Sequence, residues 1–319
     1  REDHLRNSLA LLLIIAALIG ALIGFYQAWK NGITVLDRIE GTMSVYMTFA
    51  GLLMMVGMVA FARLMFKQPR ETWLLGAALV IVVCLLCTLT RQAWFGFLAG
   101  FLFLGFVYKR KYFLISLALI LVIFFATSEQ MKTRFQSLFP LNGKDQVQYG
   151  YQKGDTFVDQ IKYRIYGMIS GNDYNFGVRL ALWKGGWEIF KDYPLTGCGF
   201  RCVDIVNYQY PDPTGFVKRY RGMHNNFVQL AVDTGVLGLT AWLGIWVCFF
   251  RLLYQRATVL KREPDSRWII LGSAAAGIAF LAGGFFETNF YDSEVVMVLY
   301  LIMALPFCGS QNLVSKLKY

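Results

Sequence analysis

The sequence predicts an all-α fold, a multi-pass bundle of transmembrane helices carrying one long outward loop, and three observations predict it. Of the 319 residues 56% are hydrophobic and only 16% are charged, against about 25% charged in ordinary globular domains. Apolar runs of bilayer-spanning length recur along the chain. Basic residues crowd onto alternate connections between those runs. Soluble enzymes, DNA-binding modules and secreted disulfide scaffolds are excluded together.

Runs of about 17–25 mostly apolar residues mark candidate spans. They fall near residues 5–26, 43–66, 73–89, 94–108 and 112–126, and after a long gap near 227–254, 268–286 and 295–307. No A-x-A-like cleavage site follows the first run and further spans come after it, so it reads as a helix and not as a cleaved signal. A count of about eight puts both termini on one side. The connections on that side carry fifteen Lys and Arg against five Asp and Glu, while the other side is nearly balanced at sixteen against fifteen. Short basic connections stay cytoplasmic, so the long loop faces outward. The net charge of +11 is therefore a topology signal, and no nucleic-acid partner is needed to account for it. The chain divides into residues 1–126 (five spans), 127–223 (the outward loop) and 224–319 (three spans and a cytoplasmic tail). It begins at Arg1 without an initiator Met, and further N-terminal spans are expected.

A connection of about a hundred residues is too long for a passive link. Two stretches in it predict helices, 157–170 and 178–190. In the second, Leu180, Trp183, Trp187 and Phe190 recur at i, i+3, i+7 and i+10 as one apolar stripe, which either packs against the bundle or lies on the membrane surface. The run Pro194-Leu195-Thr196-Gly197-Cys198-Gly199-Phe200 then breaks the helix and reads as a structured turn. Cys84, Cys87, Cys248 and Cys308 fall in predicted spans, where thiols act as small hydrophobes. Cys198 and Cys202 lie outward, where a bridge between them is permitted and left open; a lone C-x-x-x-C is a weak zinc signal.

Few side chains could carry chemistry. His4 sits on the basic cytoplasmic flank as a solvated bystander. His224, at the outer lip of the sixth span and behind the basic run ending at Arg221, is either a general base or an interfacial polar cap. Arg91 occupies the very short outward turn Thr88-Leu89-Thr90-Arg91-Gln92-Ala93-Trp94. The positive-inside bias disfavours it there, so it is either a snorkelling headgroup contact or a fork for phosphate oxygens. Arg179 opens the loop helix, where a phosphate could also meet a helix N-terminus. Asp233 lies inside the sixth span, and intramembrane ionisable groups are functional candidates by default. Glu287, Asp292 and Glu294 crowd the last outward turn. No D-x-D stands on the outward side, so the short metal-diphosphate clamp of many glycosyltransferases is missing and no metal site is predicted.

Together these stretches resemble the bacterial O-antigen ligase and O-antigen polymerase superfamily, most closely the ligase. The matching pieces are the Thr88 to Trp94 turn, Arg179-Leu180-Ala181-Leu182-Trp183, the Pro194 to Phe200 run, and the run from His224-Asn225-Asn226-Phe227 through Asp233-Thr234-Gly235 to Leu239. Asp233 stands where the family usually has Glu, and the family commonly has more spans. The resemblance implies a GT-C-type glycosyltransferase of the bacterial inner membrane with its active site facing the periplasm. It would move a glycan from undecaprenyl diphosphate to a sugar hydroxyl of lipid A-core, with no cofactor. It implies His224 as catalytic base, Arg91 and Arg179 on the diphosphate, and Asp233, Glu287, Asn225 and Arg221 in support. An O-antigen polymerase or a protein O-oligosaccharyltransferase would use the same residues. A lipid-linked sugar flippase is the rival from another class, but a transporter places its charged groups near the membrane midplane, and here they cluster at the outer lip.

Overall fold

The computed structural model describes residues 2–33, 37–67, 69, 71–111, 174–259 and 264–308. Among them every regular element is a helix. These are α1 (Glu2–Asn31), α2 (Tyr46–Phe66), α3 (Trp73–Cys87), α4 (Arg91–Tyr108), α5 (Tyr174–Asp192), the short α6 (Val203–Val206) and α7 (Phe216–Tyr220), then α8 (Asn226–Val259), α9 (Pro264–Gly283) and α10 (Ser293–Ala304). Seven of the expected spans coincide with a helix. The span expected at 112–126 and the loop helix expected at 157–170 lie outside the described residues. Among the described residues four helices are long and apolar enough to cross a membrane: His4–Asn31, Tyr46–Phe66, Arg91–Tyr108 and Asn226–Thr258; Trp73–Cys87, Arg267–Gly283 and Ser293–Phe307 are shorter apolar helices.

α2 and α9 form the centre. α2 is buried round most of its circumference from Thr48 to Arg63, as a helix apolar on all sides must be. α9 packs against α2 and α4. There Gly96 and Gly100 of α4 lie against the Ala279 and Ala275 carbonyls, so closely that a methyl at either glycine would press on backbone oxygen. Helices in lipid gain little from hiding apolar surface, and small residues that let backbones approach supply the dispersion contact instead. Trp242, Trp246, Phe249 and Phe280 fill the seam between α8 and α9. At the opposite end from residue 226, the buried Arg63 donates to both Glu71 carboxylate oxygens, at 2.9 and 2.8 Å, and lies over the Trp268 ring.

α8 is two helices in one. At Gly235 the backbone leaves helical geometry (φ 63°, ψ −167°), which frees polar groups that apolar surroundings would penalise by several kcal/mol each. The 194–199 segment satisfies them. The Val236 and Leu237 amides donate to the Pro194 and Leu195 carbonyls at 2.8 and 3.2 Å, and the Cys198 and Gly199 amides donate to the Val232 and Asp233 carbonyls, both at 3.0 Å. Glycine is required on both sides of the contact: Gly197 (φ 68°) would drive a methyl into the Asp233–Thr234 backbone, and Gly235 would drive one into Leu195.

A second cluster of buried apolar residues, Val178, Leu182, Ile189, Cys202, Val203, Val217, Met223 and Val232, joins α5, α6 and α7 to the upper half of α8. The stripe expected on α5 is divided: Trp183 packs against this cluster and donates its indole N–H to Met223 O at 3.0 Å. The inward face is Val178, Leu182 and Ile189, whereas Leu180 and Trp187 are exposed at 41% and 57%. The pair Gly185 and Gly186 lets Val217, Met223 and Val228 pack closely on that face.

Candidate active site

Three turns meet at one end of the bundle. The first joins α3 to α4. Thr88 and Thr90 are buried, their hydroxyls donate to the Leu85 and Thr88 carbonyls at 2.7 and 3.0 Å, and the Trp94 indole N–H donates to Leu85 O at 3.0 Å. Leu89 holds a left-handed φ of 51°. A turn bonded this fully presents Arg91 and Gln92 from a rigid base.

The second turn enters α8. Arg221 and His224 both hold left-handed backbone, φ 53° and 46°, a conformation that costs a non-glycine residue about 1–3 kcal/mol and persists only where surroundings enforce it. The surroundings are named. The Asn225 side-chain oxygen caps α8 by accepting from the Phe227 and Val228 amides at 2.8 and 3.1 Å, and its amide nitrogen donates to Phe285 O at 3.0 Å. The fully buried Asn226 donates to Asn289 Oδ1 at 2.6 Å, accepts from the Phe290 amide at 3.0 Å, and gives its own backbone N–H to Gly284 O at 2.7 Å. Residues 225 and 226 thus sew the lip of α8 to the third turn, which follows α9.

That third turn carries Glu287. Its Oε1 lies 3.1 Å from His224 Nδ1 and accepts from the Thr288 amide at 3.1 Å, while its Oε2 accepts from Gln92 Nε2 at 3.3 Å. Arg179 of α5 donates through Nε to Phe286 O at 3.1 Å and through a terminal nitrogen to Asn175 O at 3.4 Å; its charge also acts on Glu287. Burial pushes the Glu287 carboxyl up, but the His224 hydrogen bond and charge, the Arg179 charge and the Thr288 amide outweigh it and hold the group below its ordinary value. A carboxylate bonded to Nδ1 fixes the imidazole with Nε2 as its outer nitrogen. His224 keeps about a quarter of its side chain exposed.

The structure therefore brings His224, Glu287, Arg179 and, through its neighbour Gln92, the Arg91 turn to one place, with Asn225 as the support of the lip. Arg221 contributes left-handed backbone, its amide donating to Val217 O at 2.9 Å, and its side chain is exposed. Asp233 belongs to a different network. Its carboxylate accepts from Gln229 Nε2 at 3.0 Å and from the Arg201 amide at 3.2 Å, and the Tyr291 hydroxyl bonds to it. Burial and then the Asp233 charge push that tyrosine hydroxyl up, so it stays a donor. Asp233 thus clamps the 194–202 segment beside the α8 break. Its link to the lip is indirect, through Gln229, whose Oε1 accepts from the Met223 amide at 2.8 Å.

Cys198 and Cys202 are joined as a disulfide, with Cα atoms 5.6 Å apart. Their sulfurs and an Asp233 oxygen lie within 4.8 Å of one another, but sulfurs bonded to each other are not thiolate ligands, and the carboxylate is already occupied by amide and hydroxyl donors. Sequence reasoning missed Gln92, Asn226, Gln229 and Tyr291. Their signal was position: each is a polar side chain inside or beside a quoted motif, at an apolar helix end where an amide or phenol is rarely idle.

A family model described as O-antigen ligase matches residues 76–243. The match takes in the Arg91 turn, Arg179, the 194–200 segment, His224 and the Gly235 break, and stops short of Glu287. Comparison with curated proteins finds no match.

Proposed function

We propose, from the premise that this chain belongs to the O-antigen ligase family, that it transfers a glycan from undecaprenyl diphosphate to a sugar hydroxyl of lipid A-core. The family carries the coarser statement, a glycosyltransferase-type enzyme of a membrane acting on lipid-bearing substrates. The finer reading rests on one observation, the His224 Nδ1 to Glu287 Oε1 contact at 3.1 Å with two arginine-bearing elements around it.

In the proposed step His224 Nε2 takes the proton of the acceptor hydroxyl. That oxygen forms a bond to the anomeric carbon as the bond from that carbon to the diphosphate oxygen breaks, and the configuration inverts. Glu287 stabilises the imidazolium that forms, and Gln92 holds the other carboxylate oxygen. Arg91 and Arg179 take up the charge on the departing diphosphate, the part a metal plays elsewhere. Asn225 and Asp233 support the lip and the docked segment, and Arg221 supplies the turn before His224. In the same reading the fold is of GT-C type, the 127–223 stretch faces the periplasm of a bacterial inner membrane, and residues 1–126 and 224–319 form the span-bearing units; the separate apolar cluster around α5 supports that division. A polymerase would use the same donor and machinery. A flippase has less support, since the imidazole and carboxylate pair at one end of the bundle and not at its middle.

Purified protein given undecaprenyl-diphosphate glycan and lipid A-core, with chelator and without nucleotide, should form the conjugate. His224→Ala should lose about 10² to 10⁴ in rate. Full activity in that variant, or strict dependence on added divalent metal, overturns the mechanism. Extension of the donor glycan in place of lipid A-core modification selects the polymerase.

A further inference from the structure

The exposed apolar residues of the docked segment are unusual in their number and their height. Leu195, Phe200, Ile205 and Tyr208 are 66%, 76%, 70% and 77% exposed. Ile205 and Tyr208 stand three apart on α6 and the 3-10 turn Asn207–Gln209 that continues it, so they share a face, while Cys202 and Val203 turn inward.

Their height follows from the α8 break. The stretch from Val236 to Val259 is about 36 Å long at 1.5 Å per residue, which matches a hydrocarbon core of about 30 Å with its margins. A crossing segment that starts at the break therefore has the length a bilayer needs, within the apolar helix Asn226–Thr258. Leu237, one residue beyond that start, is itself 62% exposed at the head of the lipid-facing side, and its amide is bonded to the Leu195 carbonyl. Leu195 therefore stands beside Leu237 along α8. Phe200 is tied in as well, stacked on Tyr291 at 5.5 Å, just before α10.

We propose that residues 194–208 are an interfacial insertion: Leu195, Phe200, Ile205 and Tyr208 enter the boundary between headgroups and acyl chains of the leaflet on the His224 side. The occupant of this surface is the bilayer, argued from its continuity with the lipid-facing side of α8. Tyrosine at the rim, with an apolar ring and a polar tip, suits that boundary. The insertion fixes the height of the His224 lip relative to the headgroups, and it stands independently of the transfer chemistry.

The test reads environment and not activity. In a Cys248→Ser, Cys308→Ser background, an environment-sensitive NBD probe is attached at Ile205→Cys, at Tyr208→Cys, and at Arg219→Cys on exposed α7, and each protein is reconstituted in phosphatidylcholine/phosphatidylglycerol nanodiscs. The 205 and 208 probes should emit to the blue of the 219 probe and be quenched at least twofold by lipids brominated near the top of the acyl chain; the 219 probe should be unaffected. Emission at 205 and 208 matching that at 219 overturns the insertion in favour of water. Blue-shifted emission that brominated lipid fails to quench also overturns it, in favour of a second copy of the chain or another protein covering the surface.

Discussion

Replacing Gly197 by alanine should cost the protein about 3–5 kcal/mol of stability. Left-handed backbone at φ 68° costs an L-residue about 1–2 kcal/mol. The added methyl would overlap the Asp233 carbonyl carbon and the Thr234 amide, atoms that no rotamer can move aside, so the 194–199 segment must lift. Lifting breaks the bonds from the Cys198 and Gly199 amides to the Val232 and Asp233 carbonyls, about 1 kcal/mol each, and more if the carbonyls are stranded away from water. Gly199 is the control. It also has positive φ, 107°, but a methyl there meets nothing within 4 Å, so Gly199→Ala carries the backbone cost alone. Thermal melts of the two variants in the same nanodiscs compare them directly. At about 2–4 °C per kcal/mol for chains of this size class, Gly197→Ala should melt several degrees below Gly199→Ala. Equal melting would refute the docking of the segment onto the α8 break.

Gln92→Ala should lower the transfer rate about tenfold through loss of one hydrogen bond to a charged group, with the melting temperature unchanged; a variant of full rate removes Gln92 from the site. Because the Glu287 pKa is depressed on folding, its stabilisation is complete above the unfolded value near 4.5 and is lost as pH falls through the lower folded one. Glu287→Gln should therefore flatten that part of the acid limb in denaturant titrations, and an unchanged limb excludes the pairing. Arg63, then Lys67, hold Glu71 down to about 2 from 4.5. Glu71→Ala removes the carboxylate that Arg63 and Lys67 share and should cost about 1–3 kcal/mol at neutral pH. The gap from the unchanged protein should narrow as pH drops from 4.5 toward 2, which unfolding measured at pH 7 and pH 3 would detect.

The spans were legible because length and apolarity are properties of contiguous residues, and α1 to α4 and α8 to α10 fall close to the runs that announced them. Glu287 was legible only as a charge in an outward turn. Its partner His224 stands 63 residues earlier and Gln92 195 residues earlier, and no local pattern encodes such pairings. The Gly235 break was hidden for another reason. A glycine in an apolar helical run is tolerated at a cost of about 1 kcal/mol, so Asp233-Thr234-Gly235 reads as continuous helix until Pro194-Leu195-Thr196-Gly197 is seen lying against it. Asp233 was singled out as an ionisable group in a span; its partners are Gln229 one turn earlier, the Arg201 amide of the docked segment and the distant Tyr291, which periodicity cannot show. On α5 the large aromatics drew attention away from Gly185 and Gly186, which let Val217, Met223 and Val228 pack closely on its inward face.

The two-part α8 also orders the protein's biogenesis on the proposed topology. Residues 194–199 are synthesised before Gly235, and they are already across the membrane when α8 follows them through the translocon. The broken helix can complete its hydrogen bonding only by meeting a segment that has gone ahead of it. Docking of the 194–199 segment therefore waits on arrival of the sixth expected span, and completion of the His224 end waits further on the turn that carries Glu287.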